Sequence, residues 1–259
     1  MEGTGSVRPL FVPIAGVLFL VASAQAQGQC TVADMKGDWA TQPQGILTDG
    51  PFAGPFAANG IIHFDGAGRF SGVATSSFNG GVIYPFEAVG NYGVRTDCFV
   101  TILETTLRIG FEGYISNTKN EVVLVQPDAG AIGTNTLRRT MISNCTNSNL
   151  KDSWAIQAAG SNIVTGGKFA QNGRLKFDGA GNFDGVTASS VNGLFGRTTV
   201  SGTYAVDSEC NFKARIVDKD GNISHIFGTL FDSGNQLIFI YSEDGTVIPG
   251  SGRRAIDVK

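Results

Sequence analysis

The chain has 259 residues, enough for one or two domains, and its formal net charge is −3. Its 19 Lys and Arg residues form no basic cluster, which argues against nucleic acid as a partner. The 36 Gly and 18 Phe residues, with only 16% charged residues, indicate short strands and tight turns rather than disorder.

The chain begins with a targeting pattern. Arg8 precedes an apolar run from Leu10 to Ala22, and two Ala-x-Ala patterns follow, ending at Ala24 and Ala26. The run is shorter than the ~20 apolar residues that a membrane-spanning helix needs. We therefore predict a cleavable signal peptide over residues 1–26, a secreted or periplasmic location, and no membrane span in the mature protein.

The rest of the chain contains one pattern twice. The segment FDGAGRFSGV at residues 64–73 recurs as FDGAGNFDGV at residues 177–186, and an Asn-Gly pair follows each segment at the same distance. Over residues 64–80 and 177–193, 12 of 17 positions are identical. A duplication explains this agreement, so we predict two tandem domains, residues 27–141 and residues 142–259.

Four cysteines follow the signal segment, which in an exported protein indicates disulfides. Four cysteines allow three pairings. Each copy has one early and one middle cysteine, and the simplest pairing keeps each copy closed on itself. It joins Cys30 to Cys98 and Cys145 to Cys210.

Each copy reads as about eight strands joined by short turns. In the second copy Leu175 and Phe177 alternate with Arg174 and Lys176, as in a strand with one buried face. No segment has the pattern of a long helix. We predict an all-β protein of two antiparallel up-and-down barrels of about eight strands each, since closure removes exposed edges. A two-sheet β-sandwich is the alternative fold.

A tryptophan begins each copy and a basic pair ends it. Gly37-Asp38-Trp39 opens the first copy, and Arg138-Arg139 closes it. In a closed barrel the first and last strands are neighbours, so we expect an arginine to lie across the Trp39 ring. This arrangement resembles the lipocalin and avidin-like (calycin) barrels, although Asp152 replaces the glycine in the second copy.

The repeat as a whole resembles a family of uncharacterised bacterial secreted proteins. The shared patterns are F-D-G-x-G-x-x-x-G, then N-G, then G-x-Y-x-V-x-x-x-C, and they cover most of the mature chain. The resemblance implies a tandem β-barrel and brings no known activity.

Few residues are candidates for catalysis or metal binding. The two histidines, His63 and His225, are not repeated, so neither a triad nor a two-histidine metal site is predicted. Asp65 and Asp178 recur, but both lie in turns, where aspartate usually bonds its own backbone. Asp218 begins a calcium-loop-like segment that has Thr229 where a bidentate acid is needed. We predict no catalytic residue, metal or cofactor.

Three functions remain. The first is a non-catalytic barrel that binds a small apolar or aromatic ligand. The second is a structural or protein-interaction module at the cell surface, and the third, less favoured, is an isomerase- or cyclase-type enzyme. An open cavity favours binding and a packed interior favours interaction. The aromatic residues at equivalent places in the two copies are the candidate ligand contacts, with barrel packing as their alternative role: Trp39, Tyr92, Trp154 and Tyr204.

Overall fold

A computed structural model describes residues 29–255, which are mostly strands. The signal segment predicted over residues 1–26 lies outside this range. The first half starts with a 3-10 turn, Val32–Met35. Its strands are β1 (Gly37–Thr41), β2 (Gln44–Leu47), β3 (Gly54–Phe64), β4 (Arg69–Phe78), β5 (Gly81–Val94), β6 (Phe99–Glu104), β7 (Ile109–Ile115), β8 (Glu121–Val125) and β9 (Ala131–Arg139).

The second half repeats this order. A 3-10 turn, Asn147–Leu150, precedes its strands, and another, Asp232–Gly234, separates β15 from β16. The strands are β10 (Asp152–Asn162), β11 (Gly167–Phe177), β12 (Asn182–Val191), β13 (Leu194–Val206), β14 (Asn211–Asp218), β15 (Ile223–Phe231), β16 (Gln236–Tyr241), β17 (Thr246–Val247) and β18 (Pro249–Arg254).

The first half closes into a barrel. From β3 to β9 each strand pairs antiparallel with the next along the chain. β1 and β2 form one strand interrupted at Gln42 and Pro43, and both segments pair with β3 and with β9. Pro43 lacks the N–H that a continuous ladder needs there. Counting β1 and β2 as one, eight strands form a closed ring.

The second half closes in the same way. β10 pairs with β11 and also with the last strand, which is interrupted at Ile248 between β17 and β18. The predicted all-β fold of two antiparallel eight-strand barrels is therefore confirmed, and the sandwich alternative is not formed. Every connection within a barrel is short, so the meander returns to its first strand without a crossover.

One end of each barrel is sealed by the residues that the repeat predicts. The Arg139 guanidinium carbon lies 4.4 Å from the centre of the Trp39 ring, and Arg254 lies 5.4 Å from Trp154. Arg139 also donates to the backbone oxygens of Lys36 and Asp34, both at 2.6 Å. The expected contact of arginine with tryptophan is confirmed in both copies.

Two disulfides join the segment before each barrel to the turn after its fourth strand, which is β5 in the first barrel and β13 in the second. They join Cys30 to Cys98 and Cys145 to Cys210, which is the pairing inferred from the repeat. Each bridge closes its own barrel and neither links the two copies. Such bonds are typical of proteins in an oxidising compartment outside the cytoplasm.

The two barrels pack against each other through one face each. The outer side of β1, β3 and β4 in the first barrel, which we name the docking face, contacts the outer side of β15, β16 and β17 in the second, which we name the receiving face. Ala40 packs with Phe231 and Ile238, and Ala57 packs with Ile240 and Val247.

Hydrogen bonds cross this interface as well. The Gln42 side-chain amide donates to the Gly250 carbonyl at 2.8 Å, and the Ser77 hydroxyl donates to the Thr246 carbonyl at 2.6 Å. The Gly245 N–H donates to the Gly80 carbonyl at 2.7 Å. The interface thus combines apolar contacts with bonds to backbone groups.

Candidate functional site

The first barrel contains an internal cavity. Its volume is about 90 Å³, and it lies above the sealed end, among inward residues of β1, β3 to β7 and β9. Six aromatic rings contribute to its wall: Phe56, Phe64, Phe70, Phe78, Phe86 and Phe111. These rings point inward because successive side chains of a strand lie on opposite faces of the sheet. The cavity is enclosed by this inward-facing set of side chains.

Small inward side chains leave this space open. Ala88 lines the cavity and lies opposite Gly72 on the neighbouring strand. At the matching place in the second barrel, Val200 lies opposite Gly185. The first copy therefore has an alanine where the second has the larger, buried Val200.

Polar groups occupy one side of the cavity. Thr41, Glu104 and Asn135 all line it. The Thr41 hydroxyl donates to Asn135 Oδ1 at 3.0 Å. Glu104 is 8% exposed, and its carboxylate accepts hydrogen bonds from the N–H groups of Thr106 at 2.8 Å and Leu107 at 2.6 Å. These two bonds offset part of the cost of burying a carboxylate.

The second barrel has apolar residues or glycine at the same three places. Glu104 lies opposite Gly90, and its counterpart Ile216 lies opposite Gly202. Counting from the two tryptophans and from the two closing arginines, the counterparts of Thr41 and Asn135 are Ile156 and Gly250.

Large rings fill the second barrel at these places. Phe239 lies opposite Gly250, and a Cβ added to Gly250 would stand only 2.3 Å from the Phe239 ring. Its counterpart in the first barrel is the smaller Leu124, opposite Asn135. Polar inward residues and open space thus occur together in the first copy.

Another ring lies beside the wall of the cavity. Phe52, in the loop between β2 and β3, lies 5.4 Å from Phe78, ring centre to ring centre. Phe52 is partly exposed, while Phe78 is buried and lines the cavity. The loop between β2 and β3 therefore contacts one wall residue of the cavity from outside.

A further hydrogen-bond acceptor lies near the Phe56 ring. Gln126 is buried, and its Oε1 has no hydrogen-bond partner within residues 29–255. A Cβ on Gly133 would stand 2.6 Å from this oxygen and 3.0 Å from the Phe56 ring, so the oxygen and the ring are neighbours. At the matching place of the second barrel, the Tyr241 hydroxyl donates to Gln171 at 2.6 Å, and burial raises the pKa of this phenol well above its usual range.

The four aromatic residues predicted as ligand contacts lie at the sealed ends. Trp39 and Trp154 are fully buried and donate from Nε1 to the carbonyls of Met35 at 2.7 Å and Leu150 at 3.0 Å. Tyr92 and Tyr204 donate to backbone carbonyls of the segments before each barrel, both at 3.1 Å. None of the four lines the cavity of the first barrel, and all four are buried.

The sequence did not single out Glu104, Asn135 or Thr41. A usable signal was present, because each stands at an inward position where the two copies differ in polarity. Comparing the copies position by position, rather than looking for shared residues, would have found them. Shared residues mark the common fold, whereas differences mark what one barrel has alone.

The histidines lie on the outer surface. His63 Nδ1 is 2.7 Å from Asp38 Oδ1, with both side chains more than half exposed. His225 Nδ1 is 3.4 Å from Glu243 Oε1. Within residues 29–255 no group of three or more His, Cys, Asp and Glu side chains is arranged to hold a metal ion.

The repeated aspartates stabilise turns, as expected. Asp65 Oδ1 accepts from the N–H groups of Ala67 and Arg69. Bonds from the Asn182 side chain and from the N–H groups of the turn lower the pKa of Asp178 to about 2. Bonds from Asn222 to Asp218 likewise lower the pKa of that carboxyl.

No helix in the described part of the chain has the length and apolarity to cross a membrane. No family model matches the chain, and no curated protein does either.

Several solved structures are similar to parts of the chain. A redesigned β-barrel, mFAP1, bound to DFHBI is 16% identical, covers 42% of this chain and 97% of its own, and has a TM-score of 0.31. A fluorescence-activating β-barrel designed de novo is 15% identical with a TM-score of 0.30 and covers 44% of this chain and 100% of its own.

A protein of unknown function from the DUF3598 family of Nostoc punctiforme is also similar. It is 8% identical, covers 88% of this chain and 100% of its own, and has a TM-score of 0.26. At these TM-scores none of the three structures bears on the function of this chain.

Proposed function

We propose that this protein is an exported, non-catalytic binding protein whose first barrel holds a small apolar or aromatic ligand that carries one hydrogen-bond donor. The observation that carries the proposal is the ring-lined cavity of the first barrel with a buried carboxylate, Glu104, on its wall. Ligand sites are typically apolar with a few polar groups that orient the ligand. The second barrel, with rings in place of the open space, serves as its packed partner.

The size of the cavity limits the ligand. About 90 Å³ corresponds to roughly three water molecules, whereas a 150 Å³ cavity in another protein admits benzene. A one-ring ligand therefore enters when rings of the wall, such as Phe78, move outward. Larger ligands of the kind that fill pockets of several hundred Å³ do not fit.

The polar wall sets the chemistry of the ligand. Glu104 already accepts two backbone N–H bonds, and its carboxylate oxygens can accept more. A phenol therefore suits the site better than a hydrocarbon of equal size. Hydrogen bonds to charged groups contribute about 1.5–3 kcal/mol, so we expect phenol to bind at least about tenfold more tightly than toluene.

Export is part of the proposal. The apolar run that ends in Ala-x-Ala and the two disulfides both favour a secreted or periplasmic protein. Ligand contacts through Trp39, Tyr92, Trp154 and Tyr204 stay a prediction. In the native fold a ligand reaches these four only if the sealed ends open.

Calorimetric titration of the mature, oxidised protein with phenol and with toluene tests the proposal. Ala88→Val introduces the residue of the second barrel and should weaken both ligands, and Ala88→Leu should abolish binding. Glu104→Ile, which also copies the second barrel, should remove the preference for phenol and leave toluene unaffected.

Val200→Ala is the matched control, because it changes the same position in the second barrel and should leave both affinities unchanged. Thermal unfolding confirms that each variant is folded. Absence of binding by the wild-type protein, or equal effects of Ala88→Leu and Val200→Ala, would refute the proposal. Absence of binding would favour the structural or interaction function.

A further inference from the structure

The docking face of the first barrel recurs on the second barrel. Matching the copies by their tryptophans and by the FDGAG segments gives five identical outward residues on the two faces. The pairs are Ala40 and Ala155, Gln42 and Gln157, Ala57 and Ala170, Asn59 and Asn172, and Ser77 and Ser190. In the first barrel four of these five side chains are buried, and Ala40, Gln42, Ala57 and Ser77 contact the second barrel. In the second barrel four are exposed and Ser190 is half-buried.

The receiving face of the second barrel recurs on the first. Val122 lies opposite Ile115, and its counterpart Leu237 lies opposite Leu230, which fixes the alignment of β8 with β16. The same spacing of 115 residues relates Arg139 to Arg254 and aligns β9 with the last strand. Three pairs of aliphatic residues then match: Val123 with Ile238, Val125 with Ile240, and Ile132 with Val247.

The two residues of each pair differ strongly in solvent exposure. Ile238, Ile240 and Val247 are 2%, 0% and 4% exposed, because the first barrel covers them. Val123, Val125 and Ile132 are 59%, 56% and 69% exposed. Outward positions of a strand that faces water are normally polar, and clustered aliphatic residues there mark an interaction surface.

We infer that chains associate head to tail through a copy of the interface that joins the two barrels within one chain. The docking-face residues of the second barrel of one chain pack on Val123, Val125 and Ile132 of the next chain. Ala170 takes the place of Ala57 and packs on Val125 and Ile132, and Ala155 packs on Val123. The partner is thus a second copy of this chain.

The polar contacts of the interface can be reproduced too. Within one chain, the Gln42 side chain donates to the carbonyl of Gly250. The counterparts of these two residues are Gln157 and Asn135. Between chains, Gln157 therefore donates to the carbonyl of Asn135 in the next chain. In the same way, Ser77 donates to the carbonyl of Thr246 within one chain. Their counterparts are Ser190 and Ala131, so Ser190 donates to the carbonyl of Ala131 in the next chain. Backbone carbonyls do not depend on side-chain identity, so these acceptors are retained.

Both faces of one barrel can be occupied at once. In the ring of eight strands, the docking face is centred on the second strand and the receiving face on the seventh. Going through the first and eighth strands, which pair to close the ring, these two strands are three steps apart. Three of eight steps correspond to about 135° around a barrel. The interface is heterologous, so repetition generates a ring or a filament rather than a closed two-fold dimer.

Two substitutions make the contact between chains weaker than the one within a chain. Ser116 stands where the second barrel has Phe231, which removes a ring that contacts Ala40. Arg174 stands where the docking face has Ile61, which packs against the core of the second barrel, so a charged side chain takes the place of an apolar contact.

Sedimentation velocity of the mature, oxidised protein over a range of concentrations tests the inference. Wild-type protein should show species above the monomer mass that increase with concentration. Val125→Lys places a charge on the receiving-face copy, and Ala170→Arg places one on the docking-face copy. Each variant alone should remain monomeric. Leu103→Lys is the control, because Leu103 is an exposed aliphatic residue on β6, outside both faces, and its variant should assemble like wild type.

Mixing the two monomeric variants gives the decisive result. Each retains the face that the other has lost, so the mixture should form a species of twice the monomer mass and grow no further. Misfolded variants, or a two-fold dimer, would not produce this complementation. A wild-type protein that is monomeric at all concentrations, or a mixture that stays monomeric, would overturn the inference.

Discussion

Gln42→Ala should destabilise the protein, whereas the same substitution at the matching residue, Gln157, should not. Gln42 donates from Nε2 to the Gly250 carbonyl at 2.8 Å and to the Phe239 carbonyl at 3.4 Å, across the interface between the barrels. Gln157 occupies the same position in the second copy but is exposed, and its amide contacts Ser251 Oγ at 3.3 Å.

The magnitude follows from these contacts. A net hydrogen bond contributes about 0.5–1.5 kcal/mol, and a partner left unsatisfied in a buried place costs about 1–3 kcal/mol. Gln42 is half-buried and regains side-chain freedom when it is truncated, so we expect a loss of about 1–2 kcal/mol. For Gln157→Ala, a surface change, we expect about 0.5 kcal/mol or less.

Urea unfolding of both variants, with the disulfides intact and at a concentration where the wild type is monomeric, measures the two losses. Hydrogen exchange at β16 and β18 adds a local measurement, because Gln42→Ala should increase exchange there and Gln157→Ala should not. Equal losses in the two variants would refute the reasoning. They would mean that the bonds across the interface contribute no net stability.

Two further predictions concern the disulfides and the turns. Replacing both Cys145 and Cys210 by serine opens a loop with a sequence separation of 65 residues and should lower the free energy of unfolding by about 4 kcal/mol in the chain-entropy description, measured by urea unfolding. Asp178 should titrate near pH 2 in an NMR pH series, and Asn182→Ala should raise its pKa toward 3.8. Because folding lowers this pKa, the stability it contributes is present above pH 3.8 and is lost as the pH falls toward 2. A midpoint unchanged by Asn182→Ala would contradict the assigned cause.

Much of each barrel could be predicted from local pattern. Alternation of apolar and polar residues places Leu175 and Phe177 inside, and Asn-Gly and Asp-Gly pairs position the turns. The repeat then supplies the long-range information that one copy lacks, because it pairs the cysteines without any distance being known. The Arg139 contact with Trp39 follows from closure alone, since closure makes the first and last strands neighbours.

The candidate site could not be predicted in the same way. Trp39 and Tyr92 stand out in sequence because they are large and repeated, and those properties are typical of packing positions at the sealed end. The cavity instead depends on Ala88 and Glu104, which are inconspicuous residues. Whether an inward alanine leaves a void depends on the rings that reach toward it from other strands, and that is a property of the assembled barrel.

By itself the sequence determined the two copies, their strands and turns, and the pairing of the disulfides, because periodicity, turn chemistry and duplication are written in short segments. Only the tertiary structure decided which barrel is open and which outward faces meet. Equivalent residues such as Gln42 and Gln157, or Val125 and Ile240, differ little in local sequence, yet one of each pair is covered by the other barrel and one is exposed. That difference arises because, within residues 29–255, each repeated face meets the other barrel in only one of its two copies.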